Sequence, residues 1–78
     1  MIERTINVLI TAIGGCGPGD QLLKAVKAAT KTSFFIVGAD TKMNAPQFKQ
    51  VDQAVLLPLA NDAQFIPVLL GYCEKFNI

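Results

Sequence analysis

The sequence contains no histidine and no tryptophan, and it has only two cysteines, Cys16 and Cys73. Without histidine the chain lacks the side chain that most often transfers protons near neutral pH. Two cysteines exclude a disulfide-dense framework, and without histidine they cannot complete a zinc site of four Cys/His ligands. We therefore expect no metal site in this chain.

Long runs of one kind of residue are also missing. Seven basic against six acidic residues leave a formal charge of +1, and the sequence has no block of the five or more like charges that mark a polyelectrolyte tail. No apolar stretch approaches the roughly 20 residues of a membrane-spanning helix. The sequence therefore predicts a cytoplasmic chain that binds neither nucleic acid nor a membrane.

The composition of the chain is dominated by apolar residues. Hydrophobic residues make up 51% and charged residues 17% of the 78 positions, which is typical of one small packed domain. A domain this short buries only about 60% of the surface that its unfolded chain exposes, so its stability is marginal. We expect it to be supported by a partner or by more chain.

Three apolar runs predict strands. Residues 6–12 are almost entirely apolar and β-branched, as in a strand buried on both faces, and residues 34–38 form a second run. Residues 54–57 form a third that stops at Pro58, because proline cannot donate to a sheet ladder. From residue 20 to about residue 30, apolar positions recur at three- and four-residue spacing, which predicts an amphipathic helix with solvated lysines.

The last third of the chain predicts a second helix. Residues 41–53 show no sustained period, and Asn61 or Asp62 is expected to be the N-cap of the helix that follows. Pro67 requires either a short turn before a helix that starts near Ile66, or a bend in the helix. The predicted buried stripe consists of Phe65, Leu69, Tyr72, Cys73 and Phe76.

These elements predict an α/β fold: a Rossmann-like, parallel three-stranded sheet with flanking helices. In the doubly wound order, strands two and three lie on one side of strand one, and a fourth strand pairs with its other edge. The sequence ends at Ile78 where that fourth strand would follow. We therefore expect an incomplete sheet whose first strand is an open edge, available for pairing with another chain or a second copy.

A glycine-rich loop, Gly14–Asp20, separates the first strand from the first helix. Its backbone N–H groups and the positive end of the helix dipole favour a phosphate or a carboxylate, although a purely structural turn is the alternative. In the dinucleotide fingerprint G-x-G-x-x-G, Gly15 and Gly17 fit but the third position is Asp20. The loop also lacks the Gly-Lys-Ser/Thr ending of a P-loop.

Asp40 follows strand two, 25 residues after Gly15, where an acid binds ribose hydroxyls in nucleotide folds; the alternative is that it caps its own loop. Cys16 lies within the glycine loop, but no histidine is present to act as its base. We therefore assign no catalytic residue.

The residues of the whole chain resemble the N-terminal, pre-ATP-grasp domain of ATP-grasp enzymes, and in particular the carbamoyl-phosphate synthase large chain. The first half is similar through NVLITAIGGCGPG and Leu22–Ala25. The second half is similar, in order and spacing, through Gly38–Asp40, Ala45–Pro46 with Phe48, Val51–Ala54, Leu57–Pro58, Asn61–Asp62, Phe65–Ile66 and Leu69–Leu70.

The resemblance implies one half-domain, residues 1–78, at the N-terminus of a longer ligase. Such an enzyme activates a carboxylate or bicarbonate as an acyl phosphate, with ATP and magnesium bound by further domains of the same chain. The resemblance assigns substrate contact to Gly15, Gly17, Gly19 and Asp40 and implies no cofactor site here, so these 78 residues alone are expected to be inactive. The alternatives are a small nucleotide-binding module and a non-catalytic interaction domain that associates through its open strand edge.

Overall fold

The computed structural model describes residues 5–15, 17–29 and 31–78 of the chain. Its elements are β1 (Thr5–Ile10), α1 (Pro18–Ala28), β2 (Ser33–Asp40), a 3₁₀ helix (Pro46–Gln50), β3 (Gln53–Leu56) and α2 (Phe65–Lys75). Strands and helices alternate along the chain, as in βαβ units. The predicted α/β fold is confirmed.

The three strands form one parallel sheet in the order β1-β2-β3. Ile6 is paired with Phe34 between β1 and β2, and Val37 with Gln53 between β2 and β3. Among the described residues β1 pairs with β2 alone, so its other edge is open, as predicted. The carboxyl ends of all three strands lie at the same edge of the sheet because the strands are parallel.

The sheet is covered on both faces. Successive side chains of a strand point to opposite faces, so β2 contributes to two separate clusters. On the α1 face, Ile10, Ile13, Leu23 and Ile36 are buried together, with Val8, Val26, Phe34, Phe48 and Val51 packed against them. On the α2 face, Val37, Ala39, Val55 and Leu57 are buried, with Leu9, Phe35, Phe65, Val68, Leu69, Tyr72 and Phe76 around them. The domain therefore has three layers: α1, the sheet and α2.

β1 departs from the sequence prediction in two ways. It was expected to be buried on both faces, but Ile6 is 46% exposed and only Ile10 of this strand is buried. The reason is that β1 has a neighbouring strand on one side only. The strand also ends at Ile10 rather than at residue 12, because Ala12 has a φ of 52°, a left-handed conformation that no strand contains.

The first helix begins two residues earlier than the hydrophobic period indicated. Pro18 is its first residue and Gly17 its N-cap, which suits proline because the N–H that it lacks would have no partner inside the helix. The helix ends at Ala28. Lys24 and Lys27 are exposed, which confirms the solvated face; Lys27 also donates from Nζ to the carbonyl of Gln50 at 2.9 Å.

The second helix begins at Phe65, so Pro67 lies in its first turn. This confirms the alternative in which a short turn precedes the helix. The N-cap prediction is wrong. Gln64 is the N-cap, whereas Asp62 closes the preceding turn by accepting the Gln64 N–H at 2.8 Å. Cys73 is only partly buried, as are the other four residues of the predicted stripe, and α2 contains no fully buried residue.

The end of α2 is fixed against β1. Asn77 takes a left-handed φ of 56°, and the Ile78 N–H donates to the carbonyl of Cys73 at 2.8 Å, which is a common way to end a helix. Asn7 of β1 donates from Nδ2 to the carbonyl of Phe76 at 3.0 Å. The chain therefore reaches Ile78 close to the open strand. Neither described α-helix has the length and apolar character needed to cross a bilayer.

Two glycines give a matched test of this packing. A Cβ at Gly38, in central β2, would lie 2.6 Å from both Ile13 Cδ1 and Val51 Cγ1, whereas a Cβ at Gly71 in α2 meets nothing within 4 Å. We expect Gly38→Ala to lower the free energy of unfolding by roughly 1–3 kcal/mol through overpacking. Gly71→Ala should raise it by about 0.5–1 kcal/mol through helix propensity. Urea unfolding followed by circular dichroism measures both, and shifts of the same sign would contradict the described α1 face.

Candidate functional site

The polar features of the domain converge at the carboxyl edge of the sheet. β1 continues through Thr11 into the glycine loop, β2 ends at Asp40, and β3 continues into Leu57 and Pro58. In open α/β sheets, ligands bind outside this edge because loops from different strands meet there. This edge is the candidate site.

Asp40 connects the loops of β1 and β2. Its Oδ2 accepts the backbone N–H of Gly14 at 2.6 Å, and its Oδ1 accepts the N–H of Thr41 at 2.7 Å and the Thr41 hydroxyl at 3.3 Å. The Asp40 carbonyl accepts the N–H of Leu57 at 2.9 Å. One residue thus ties together the chain segments that follow all three strands. Of its two predicted roles, capping is the one that the geometry shows.

The same contacts determine the charge of Asp40. Burial on its own would raise the pKa of this carboxyl, but the backbone N–H groups of Gly14, Thr41 and Lys42 and the Thr41 hydroxyl stabilise the carboxylate and lower the pKa below its ordinary 3.8. Asp40 is therefore ionised at neutral pH. No lysine or arginine among the described residues forms an ion pair with it.

The three glycines assigned to substrate contact differ in their surroundings. Gly15 has a φ of 75°, which favours glycine, and open space where a Cβ would be. Gly17 also has open space but an ordinary φ of −89°. Gly19 is buried, and a Cβ there would collide with the backbone carbonyl oxygens of Thr11 and Ala12. Gly19 thus permits α1 to pack closely against the end of β1, while Gly15 and Gly17 border open space.

This arrangement explains the imperfect dinucleotide fingerprint. Close helix packing is the task of the third glycine of that motif, and here Gly19 performs it one position earlier. Asp20, which occupies the third position, is only 4% exposed and forms an ion pair with Lys24 at 3.2 Å. A carboxylate in the first turn already complements the helix dipole, which makes this helix end a poorer phosphate site. Cys16 lies outside the described residues.

Gln47, which the sequence analysis did not identify, holds the glycine loop from the other side. Its Nε2 donates to the carbonyl of Gly15 at 2.7 Å, across 32 residues of sequence. Its Oε1 is buried with no hydrogen-bond partner among the described residues. Gln47 belongs to the 3₁₀ helix, in a segment whose sequence shows no period, so only the tertiary fold reveals this contact.

Two hollows flank Asp40 and Thr41. The first, the α2-side cavity, has a volume of about 260 Å³ and is lined by Thr11, Ala12, Asp40, Thr41, Leu57–Ala60 and Phe65. The second, the loop-side groove, has a volume of about 480 Å³ and is lined by Gly14, Gly15, Asp40–Lys42 and Asn44–Pro46. The cavity is mainly apolar, whereas the groove is mainly polar and includes Lys42 in its lining.

The predicted site residues are therefore only partly brought together. Gly15 and Asp40 line the loop-side groove, Gly17 lies at the N-cap of α1, and Gly19 faces the interior. Substrate contact by these four residues stays a prediction. The α2-side cavity was missed, although the rule that carboxyl ends of parallel strands meet at one edge could have pointed to the residues around Pro58. The described residues contain no cluster of side chains that could hold a metal ion.

The Asp40 contacts predict a pH-dependent loss of stability in Asp40→Asn. In the variant, one of the two carboxylate oxygens is replaced by an NH₂ group, so one of the Gly14 and Thr41 N–H groups loses its acceptor. This loss should lower the free energy of unfolding by about 1–3 kcal/mol at neutral pH. Because the folded pKa is lowered, the contribution of Asp40 is present above its unfolded pKa and is lost as the pH falls through the folded value. Urea unfolding at pH 7 and at about pH 2.5 should therefore show a difference in the free energy of unfolding, between wild type and variant, that is smaller in acid.

The control is Asp62→Asn, at an exposed acid whose side chain accepts only the Gln64 N–H. A difference that grows in acid would contradict the assignment.

Comparison with known proteins is consistent with this architecture. No curated protein matches the sequence significantly. A sequence model of the family described as PylC-like, N-terminal domain, matches residues 8–78, from β1 to the end of the chain. That family is part of the pre-ATP-grasp group of N-terminal domains. The chain therefore belongs to the PylC-like N-terminal domain family.

Proposed function

We propose that this domain forms the N-terminal part of an ATP-grasp ligase and presents its carboxyl edge to the acceptor substrate. The family membership supports this role. The observation that carries it is the contact between Asp40 and the Gly14 N–H, which fixes the glycine loop against the end of β2. Gly15 and Gly17 border open space, where a substrate could approach them.

The reaction of such a ligase has two stages. A carboxylate or bicarbonate is first activated as an acyl phosphate, and an amine or another nucleophile then displaces the phosphate. The likeness of the sequence to the carbamoyl-phosphate synthase large chain supports bicarbonate or a small carboxylate as the activated group. The domain described here would contribute by binding and orienting the acceptor, which lowers the entropic cost of reaction.

ATP and magnesium do not fit the described residues. Phosphoryl transfer needs a metal ion and positive charge around the γ-phosphate. The described part of the chain has no cluster of acids able to hold a metal ion, and its glycine loop is followed by the buried Asp20 rather than by lysine. We propose that further ATP-grasp domains of a longer cytoplasmic protein bind the nucleotide and magnesium.

A second candidate is an interaction domain, favoured by the open edge of β1. Charged residues and prolines usually block the pairing of an edge strand with another chain. This strand, Thr5–Ile10, contains neither. A second copy that paired with β1 would extend the sheet and form a homo-oligomer. A nucleotide-binding module is less well supported, because Asp20 lies in the first turn of α1 and the Asp40 oxygens already accept backbone N–H groups.

The first experiment is to determine the length and activity of the native protein. Intact mass of the endogenous polypeptide would show whether it is longer than this 78-residue sequence. We expect a longer protein whose sustained release of ADP and phosphate requires ATP, a carboxylate or bicarbonate, and an amine or another nucleophile together. A native mass equal to that of the 78-residue chain, together with no ADP release, would contradict the ligase and leave the interaction domain as the better proposal.

Two substitutions in the glycine loop separate binding from folding. Gly17→Asn adds a side chain at an N-cap position with open space, where asparagine is favourable, so the stability should change by less than about 0.5 kcal/mol. In the native protein we expect it to raise the KM for the acceptor about tenfold, equivalent to about 1.4 kcal/mol of binding. The matched change Gly19→Asn should instead prevent stable folding, because its side chain collides with the Thr11 and Ala12 carbonyls. An unchanged KM for Gly17→Asn would argue for a purely structural loop.

A further inference from the structure

The side of α2 that points away from the sheet is apolar along most of its length. Five exposed residues share this side at the helical spacing of 3.6 residues per turn: Ile66, Pro67, Leu70, Gly71 and Glu74. We call these five residues the outer face of α2. Its two large side chains, Ile66 and Leu70, are 57% and 60% exposed. Only Glu74, at the end of this face, carries a polar side chain.

The other helix shows how a solvated helix of this domain differs. α1 packs on the opposite face of the same sheet, and its outward positions include the exposed polar residues Gln21, Lys24 and Lys27. Leu22, which is 58% exposed, lies among them as a single apolar residue of the kind that is normal on a protein surface. α2, in contrast, has apolar residues both towards the sheet and away from it, and none of them is buried. Because a helix that is apolar on all sides is normally covered on all sides, α2 lacks a covering element.

Gly71 indicates that the covering element is another helix. A glycine inside a helix is less favourable than an alanine, because it loses more conformational freedom on folding. The packing of the described residues does not require a glycine at this position, since a Cβ there meets nothing within 4 Å. The distance between two packed helices depends on the size of the side chains at their contact. A glycine on the outer face therefore suits the close approach of a second helix.

The charges at the two ends of α2 favour a second copy of the same helix in antiparallel orientation. At the N-terminal end, Gln64 provides no side-chain cap and the first turn contains no acid, so the positive end of the helix dipole is not compensated by this chain. Glu74 lies at the opposite end of the outer face. When two copies pack antiparallel about a twofold axis, with Pro67 opposite Leu70, Glu74 of each copy lies beside the N-terminal end of the other helix. One surface thus provides both halves of a complementary interface.

We propose that the outer face of α2 is a homodimer interface, in which it packs antiparallel against the outer face of a second copy. This dimer leaves the carboxyl edge and the open edge of β1 free. The inference therefore goes beyond the proposed function and does not depend on it. The competing occupant is a further segment of a longer chain, which would cover α2 and exclude the second copy.

Two leucines of similar exposure give a matched test. Sedimentation equilibrium of the native protein measures the dimer dissociation constant, and circular dichroism confirms that each variant is folded. We expect Leu70→Glu, which places two charges in the interface, to weaken the dimer at least about a hundredfold. Leu22→Glu, on the solvated side of α1, should change the constant by less than about twofold. A monomeric wild type, as expected if further chain covers α2, would overturn the proposal. A dimer that Leu70→Glu leaves intact, or that folded Leu22→Glu disrupts equally, would also overturn it.

Opposite charges at Gln64 test the antiparallel orientation. Gln64 is exposed at the N-cap of α2, where the proposed dimer places Glu74 of the second copy. We expect Gln64→Lys to tighten the dimer about threefold and Gln64→Glu to weaken it about threefold, as measured by the same dissociation constant. An effect through helix stability would have the opposite sign, because an acid stabilises a helix N-terminus. Equal dissociation constants for the two variants, or tighter association of Gln64→Glu, would overturn the proposal.

Discussion

The candidate site depends on the hydrogen bond from the Gly14 N–H to the Asp40 carboxylate. Beyond Ile10 the chain leaves the sheet ladder, and its next backbone bond to β2 is the one from Ile13 to the Ala39 carbonyl. The Asp40 contact is charge-assisted, which makes it roughly twice as strong as a neutral hydrogen bond. It fixes Gly14 relative to the central strand, and Asp40 lines both hollows of the carboxyl edge.

The loop is held at further points, each with a different physical basis. Gly19 permits close packing because it has no Cβ, and Gln47 binds the Gly15 carbonyl through a side-chain amide. Asp20 is buried beside them and places a negative charge in the first turn of α1. The negative charge of Asp20 makes this helix end a poorer site for a phosphate.

Elsewhere in the domain, the buried residues form the core, and the edges of the sheet are left open to a ligand or another chain. The central strand β2 is fully buried from Ile36 to Ala39, and the helices cover both faces of the sheet. The exceptions are the carboxyl edge, with its cavity and groove, and the outer edge of β1, next to which Asn7 fixes the end of α2. Both are places where the domain can meet a ligand or another segment of chain.

The sequence by itself determined the α/β class, the parallel order of the strands and the location of the glycine loop. Apolar period and glycine placement depend on local chemistry, and the choice of crossover is limited by chain handedness. Only the tertiary structure decided that β1 ends before Ala12, that Gly19 rather than position 20 provides the close contact, and that Gln47 reaches Gly15. These features depend on residues far apart in sequence coming within a few ångströms of each other, and no local pattern encodes such distances.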